Sequence, residues 1–155
     1  MYKMILVPLD GSDLAEMVLP HVEKLAKATE KSAQVVLLEV VEPPRTVMAG
    51  YGGEAVGQAA ILAEQAAEAC KQEAEEYLAE TEKRLKAKGL DVRSELKIGS
   101  AGDEILEFAA NNPVDLIAMA SHGRSGISRW AYGSVASKVL RGIATPILVV
   151  TPAKE

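Results

Sequence analysis

Apolar residues in this chain fall into short unbroken runs that alternate with longer stretches of helical spacing. Lys3 to Leu9, KMILVPL, is almost continuously aliphatic, the pattern of a strand buried on both faces, as in a parallel sheet. Asp10-Gly11-Ser12 breaks the run and offers Ser12 as a helix N-cap, after which Ala15, Val18, Leu19, Val22, Leu25 and Ala26 recur at helical spacing. Pro20 falls inside that helix, where it removes a backbone bond, so a kink is expected there. Ala33 to Val41, AQVVLLEVV, reads as a second buried strand stopped by Glu42-Pro43-Pro44. The following loop, to about Glu54, is expected to be the most mobile part of the chain.

From Ala55 to about Lys88 strong helix formers predominate, and Leu62, Ala66, Ala69, Tyr77, Leu78, Thr81 and Leu85 form the apolar stripe of one long helix closed by Gly89. Asp91 to Ile98, DVRSELKI, alternates only in part, which suits an edge strand, and its charges discourage aberrant pairing. A turn over Gly99 to Asp103, a helix from Asp103 to Ala110 and a buried strand from Val114 to Ala120 come next. A helix from about Gly133 to Arg141 and a last strand, Thr145 to Val150, complete the order. Strands alternating with helices predict an α/β fold, an open parallel sheet with helices on both faces and right-handed crossovers. Such sheets bind ligands beyond the carboxyl ends of their strands, where strand order reverses. The loops after the first strand, at Asp10, and after the fourth, at Ser121, are therefore the candidate site.

A length of 155 residues suits one domain, and 48% hydrophobic, 25% charged and only 4% aromatic residues imply an aliphatic core rather than disorder. The formal net charge of -5 argues against broad binding to nucleic acid or an anionic membrane, so any polyanion must be met by a local site. Cys70 is the sole cysteine, which excludes an internal disulfide and a cysteine-based metal cluster and fits a reducing compartment. No apolar run approaches a membrane span, and the run Met4 to Pro8 is too short for a signal-peptide core, so a cytoplasmic location is expected.

Between the fourth strand and the last helix lies SHGRSGISRWAYGSVASK, Ser121 to Lys138. Glycines without side-chain bulk bring backbone N–H groups close to phosphate oxygens, and a helix N-terminus adds unpaired N–H groups and a favourable dipole. Gly133-Ser134-Val135 opens such a helix, and Gly123 with Arg124 offers an opposite wall with a guanidinium for charge-assisted bonds. The alternative is a surface loop shaped by its glycines. The stretch is neither a Walker loop nor a Rossmann glycine fingerprint.

The segment resembles the nucleotide loop of the universal stress protein family, G-x2-G-x9-G-[ST]. Gly123, the nine residues Arg124 to Tyr132, and Gly133-Ser134 follow the pattern, while Ala120 stands at the first glycine position. The resemblance extends over essentially the whole chain, through MILVPLDGS, VVLLEVV, GSAGDEIL, DLIAMASHGRSGISRWAYGSVASKVL and TPILVV. It implies one universal-stress-protein domain over residues 1–155, a Rossmann-like fold of the adenine nucleotide alpha hydrolase type, and the strand order 3-2-1-4-5. In the family's ATP-binding members it implies that residues matching Asp10 and Val40 hold ribose and adenine. Those matching Gly123, Arg124, Gly133, Ser134 and Val135 hold phosphates, and Pro8, Leu9 and Met119 line the same cleft. Ala120 is small enough to accept the nucleotide if its backbone stays in a region open to L-residues. The ligand implied is ATP, or AMP or ADP, optionally with Mg²⁺. A homodimer pairing the last strand, Thr145 to Val150, across a two-fold axis is also implied.

Other residues carry weaker alternatives. His122 is a candidate proton carrier beside a phosphate or a loop-orienting side chain. Trp130 and Tyr132 sit in the spacer, where packing against the domain or a partner is expected rather than base stacking. Glu73, Glu75 and Glu76 read as a solvated helix face rather than a metal site. Three functions remain open: a nucleotide-binding regulatory protein in stress; a slow ATPase or autophosphorylating enzyme, with Ser134 as acceptor, Asp10 near Mg²⁺ and Arg124 on developing charge; and a nucleotide-independent scaffold.

Overall fold

A computed structural model describes residues 2–28, 32–43, 53–122 and 132–152. Among them the aliphatic runs form strands β1 (Met4–Leu9), β2 (Gln34–Val41), β3 (Val92–Ile98), β4 (Leu116–Ala120) and β5 (Ile147–Val150). All neighbouring pairs are parallel, in the order β3-β2-β1-β4-β5, so the expected strand order and the edge position of the charged third strand both hold. The helices are α1 (Asp13–Glu16), α2 (Leu19–Lys27), α3 (Gly53–Ala87), α4 (Ala101–Asn111) and α5 (Ser134–Gly142). From β1 the chain steps to β2 and β3 in one direction, then returns to β4 and β5 on the other side. Right-handed crossovers therefore place α1, α2 and α3 on one face of the sheet and α4 and α5 on the other.

The period of two along each strand serves both layers. Ile5, Val7 and Leu9 join Val35 and Leu37 beneath Val18, Val22, Leu78 and Leu85 of the first helical layer. Leu6, Val36, Leu38, Ile117 and Met119 face Ile105, Phe108, Ala136 and Val139 of the second. Burial on both faces is why these strands lack alternation in sequence.

Pro20 does not kink a continuous helix. The expected first helix is two: α1 ends at Glu16, and Pro20 sits in the first turn of α2, where its missing N–H has no helical partner to lose. The N–H groups of His21 and Val22 both reach the carbonyl of Val18, which starts the second helix. Helix α4 begins at Ala101, earlier than the expected Asp103, with Asp103 and Glu104 in its first turn, where negative charge suits the helix dipole. Strand β4 begins at Leu116, later than expected; just before it the Asp115 carboxylate accepts from the N–H groups of Lys3 (2.7 Å) and Met4 (3.3 Å), and its own N–H donates to the Met4 carbonyl. The expected loop before α3 falls, over residues 44–52, outside the described residues.

The long helix departs most from expectation. At 1.5 Å per residue its 35 residues extend about 52 Å, whereas the eight of β2 span only about 27 Å. The sheet can cover one half of it. Ala74, Leu78, Thr81 and Leu85 are buried, but Leu62, Ala66 and Ala69, expected in the same stripe, are exposed, Leu62 at 65%. The packed half is also tied by polar contacts. Ser94 Oγ donates to Glu82 Oε2 (2.5 Å), Lys88 pairs with Glu23 (2.5 Å), and Arg84 with Glu16 (2.7 Å).

This division predicts unequal effects along one helix: Leu85→Ala should cost about 2–5 kcal/mol of unfolding free energy, and Leu62→Ala no more than about 0.5 kcal/mol, by urea denaturation. The Glu82 tether predicts a pH effect. Hydrogen bonds from Lys86 first, and then from Ser94, hold the Glu82 carboxyl below its usual range. Its folded pKa is depressed, so its stabilising contribution is present above the ordinary glutamate value and is lost as pH falls through the folded one. The stability gap between wild type and Glu82→Gln should therefore shrink as pH falls below about 4, and a gap that stays constant from neutral pH to 3 would refute the assignment.

Candidate functional site

The chain order reverses at β1, which pairs with β2 on one side and β4 on the other. The Lys3 carbonyl accepts from Gln34 beside β2, and the Met4 carbonyl accepts from Asp115 beside β4. Peptide groups alternate sides along a strand, so residue 8 also faces β4. Residue 8 is proline and has no N–H to continue that ladder. The β1–β4 register accordingly covers Ile5 and Leu6 against Leu116 and Ile117, while β1–β2 pairing runs the full length to Leu9. The two central strands are free to part at their carboxyl ends, where the cleft opens.

Past β1 the chain turns sharply at Gly11, whose φ of 77° favours glycine. Asp10 Oδ1 accepts from both the N–H (3.0 Å) and the hydroxyl (2.5 Å) of Ser12, and Ser12 Oγ accepts from Ala15 N (3.1 Å). Ser12 is thus the expected N-cap and also orients the Asp10 carboxylate. Past β4, Ser121 is buried; its N–H donates to the Val150 carbonyl, and its own carbonyl accepts from Gly133 N, both at 2.8 Å. A Cβ on Gly133 would lie 3.1 Å from the Ser121 carbonyl oxygen and 3.5 Å from His122 Cα, so glycine permits this close seat. Gly133 has no side chain with which to cap α5, and among the described residues no side chain caps the first N–H groups of that helix. The Ser121 hydroxyl and His122 Nδ1 lie 2.9 Å apart.

These ends enclose a cavity of about 650 Å³, within the range of small-molecule sites. Pro8, Leu9, Asp10, Val40, Met119, Ala120, Gly133, Ser134 and Val135 all line it. Gly123 and Arg124 lie outside the described residues, as does Trp130. Ala120 ends β4 as ordinary strand, and no described residue other than glycine has a positive φ, so the backbone condition set for Ala120 is met. Tyr132 is half exposed rather than packed into the protomer.

The far wall was not foreseen. Cys70, Glu73, Ala74 and Tyr77 of α3 line the cleft, so Glu73 is both solvent-exposed, as expected, and part of the site. Glu39 lines it too, only 5% exposed on β2; its local signal was a carboxylate inside the apolar run VVLLEVV. Burial first, and then the hydrogen bond to Glu16 and that residue's charge, holds the Tyr77 phenol well above its ordinary value. Among the described lining residues, the carboxylates of Asp10, Glu39, Glu42 and Glu73 gather around β1, β2 and α3, and the α5 N-terminus and His122 lie at the opposite end. The cleft can accept an anionic group at α5 and hydrogen-bond donors along its acidic side. No group of three potential metal ligands occurs among the described residues, and no described helix is long and apolar enough to cross a membrane.

Comparison with known proteins agrees with this architecture. A relative from Methanocaldococcus jannaschii, universal stress protein MJ0531, is 33% identical over 155 residues, covering 100% of this chain and 85% of its own. The solved structure of MJ0577, from the same organism, superimposes with a TM-score of 0.83 at 29% identity, covering 100% of this chain and 99% of that one. A universal stress protein solved in complex with cAMP gives 0.64 at 25% identity over 97% of each chain. The model of the universal stress protein family matches residues 1–151, and the chain belongs to that family.

Proposed function

We propose that this protein, a single universal-stress-protein domain, binds an adenine nucleotide, ATP or its AMP and ADP counterparts, and acts as a cytoplasmic regulatory protein in a stress response. The observation that carries the reading is the α5 N-terminus, capped by no described side chain and seated just past β4 on the Ser121 carbonyl, at a cleft of nucleotide size. Phosphates would accept from the N–H groups of Ser134 and Val135 and the Ser134 hydroxyl, with Gly133 allowing close approach and Gly123 and Arg124 completing the loop. Asp10 would accept from the ribose hydroxyls, and Val40, Pro8, Leu9, Met119 and Ala120 would flank the base and sugar. Any Mg²⁺ would arrive with the phosphates. The cAMP complex of a relative supports an adenine ligand in this fold.

The same reading includes a homodimer through Thr145–Val150. Strand β5 pairs only with β4 among the described strands and carries four half-buried apolar residues, Ile147 to Val150, an edge that a second copy would cover.

The test is mass spectrometry of ligand released from freshly purified protein, with ATP titration of wild type and Gly133→Asp. ATP or AMP should be found. A carboxylate at the helix N-terminus should weaken ATP binding by at least about tenfold. Absence of both a released adenine ligand and titratable binding in wild type would overturn the reading and favour a nucleotide-independent scaffold.

A further inference from the structure

We propose that Tyr77 and Glu16 are positioning residues for Asp10, so that selectivity for the ligand's sugar is set by α3, outside the glycine-rich segment. The proposal rests on the nucleotide reading and adds residues to it. It stands on a continuous path of hydrogen bonds. The Tyr77 hydroxyl, on the cleft wall, donates to Glu16 Oε1 at 2.9 Å, and Arg84 Nη2 holds Glu16 Oε2 at 2.7 Å. Glu16 is the last residue of α1, and its N–H donates to the Ser12 carbonyl at 3.2 Å. Ser12 in turn donates twice to Asp10 Oδ1.

The length of α1 makes this path consequential. A helix of four residues has no stability of its own, so its place depends on Ala15, which is buried in the core, and on what grips its ends. Ser12 grips the first end. At the last end the described bonds to the Glu16 side chain come from α3, from Tyr77 and Arg84. Moving Glu16 moves the turn that carries Ser12, and with it the Asp10 carboxylate. Burial and the Glu16 carboxylate hold the Tyr77 phenol above its already high ordinary value, so the hydroxyl is a donor at neutral pH. Arg84 is half exposed and anchors from the solvent side, whereas Tyr77 reaches Glu16 from inside the cleft.

A clamp that merely docks α3 on α1 would alter stability alone, so the test reads sugar selectivity. Dissociation constants for ATP and 2′,3′-dideoxy-ATP are measured by calorimetry on the full chain, for wild type, Tyr77→Phe, Glu16→Ala, the double variant and Asp10→Asn. Melting temperatures are recorded beside them. Wild type should prefer ATP. Tyr77→Phe keeps the ring on the cleft wall, yet should lose about tenfold in ATP affinity, the scale of one hydrogen bond to a carboxylate, with dideoxy-ATP changed by less than about twofold. Glu16→Ala breaks the same link away from the cleft and should collapse the preference equally; the double variant should lose no more than either single one. Asp10→Asn should show the same reduced preference.

A lower melting temperature with the wild-type ratio retained in both Tyr77→Phe and Glu16→Ala would overturn the inference and leave the nucleotide site standing. Equal affinity of wild type for the two nucleotides would also overturn it, since Asp10 would then not read the sugar. Absence of ATP binding in wild type would remove the nucleotide reading itself.

Discussion

Pro8 has no N–H to give to β4, and the site follows from that missing donor. A parallel sheet that reverses direction at β1 needs its two central strands close together at their amino ends, where Ile5 and Leu6 carry the ladder to β4. Beyond their carboxyl ends the connections leave for opposite faces of the sheet, and the crevice between them is where such sheets bind ligands. Proline in a central strand would ordinarily cost a ladder bond for nothing. Here β1 keeps its full pairing with β2, the missing donor faces β4, and the loops carrying Asp10 and Gly133 come to rest on either side of the opening.

The cleft is divided in charge as well as in shape. Helix α5 brings N–H groups that no described side chain caps, and the positive end of its dipole, to one side, while β2, the residue after it and α3 bring Glu39, Glu42 and Glu73 to the other. Among the described residues the α5 N-terminus favours an anion, which would orient a ligand bearing an anionic end and hydrogen-bond donors. In a protein of net charge -5, the proposed phosphate recognition by backbone groups at a helix start would create a local anion site without reversing the overall charge.

What the sequence disclosed follows the range of the interactions. Strands buried on both faces announce themselves as aliphatic runs, and the partly charged third strand announces itself as an edge. Ser12 was legible as a cap because its bonds reach only two and three residues along the chain. Pro20 was legible as a breaker, but a kink and a fresh start differ by tertiary context, and Val18 decided it by accepting the first bonds of α2. The stripe on α3 was read along its whole length because periodicity carries no information about where the sheet ends. Tyr77 and Glu16 are 61 residues apart, so nothing local could join them. Glu39 was the exception, a carboxylate visible inside an apolar strand whose place beside the cleft was not drawn from it.

The glycine-rich segment and the rest of the cleft answer different questions. Phosphate groups are common to all nucleotides, so a loop of glycines before a helix can supply affinity with little discrimination. Discrimination requires groups that meet the sugar and base, and in the proposed site those would lie on β1, the turn after it, β2 and α3, held by contacts that no short pattern records. A buried acceptor aligned with a ligand hydroxyl rejects an analogue lacking it, because the acceptor is left without its donor. The rejection is only as sharp as the acceptor is rigid. Asp10 sits on a tight turn before a helix of four residues, held locally by Ser12, and the proposed grip of α3 on Glu16 would add to its rigidity. On this reading, chains sharing the same glycine-rich segment would differ in which nucleotide they favour through residues far from it in sequence.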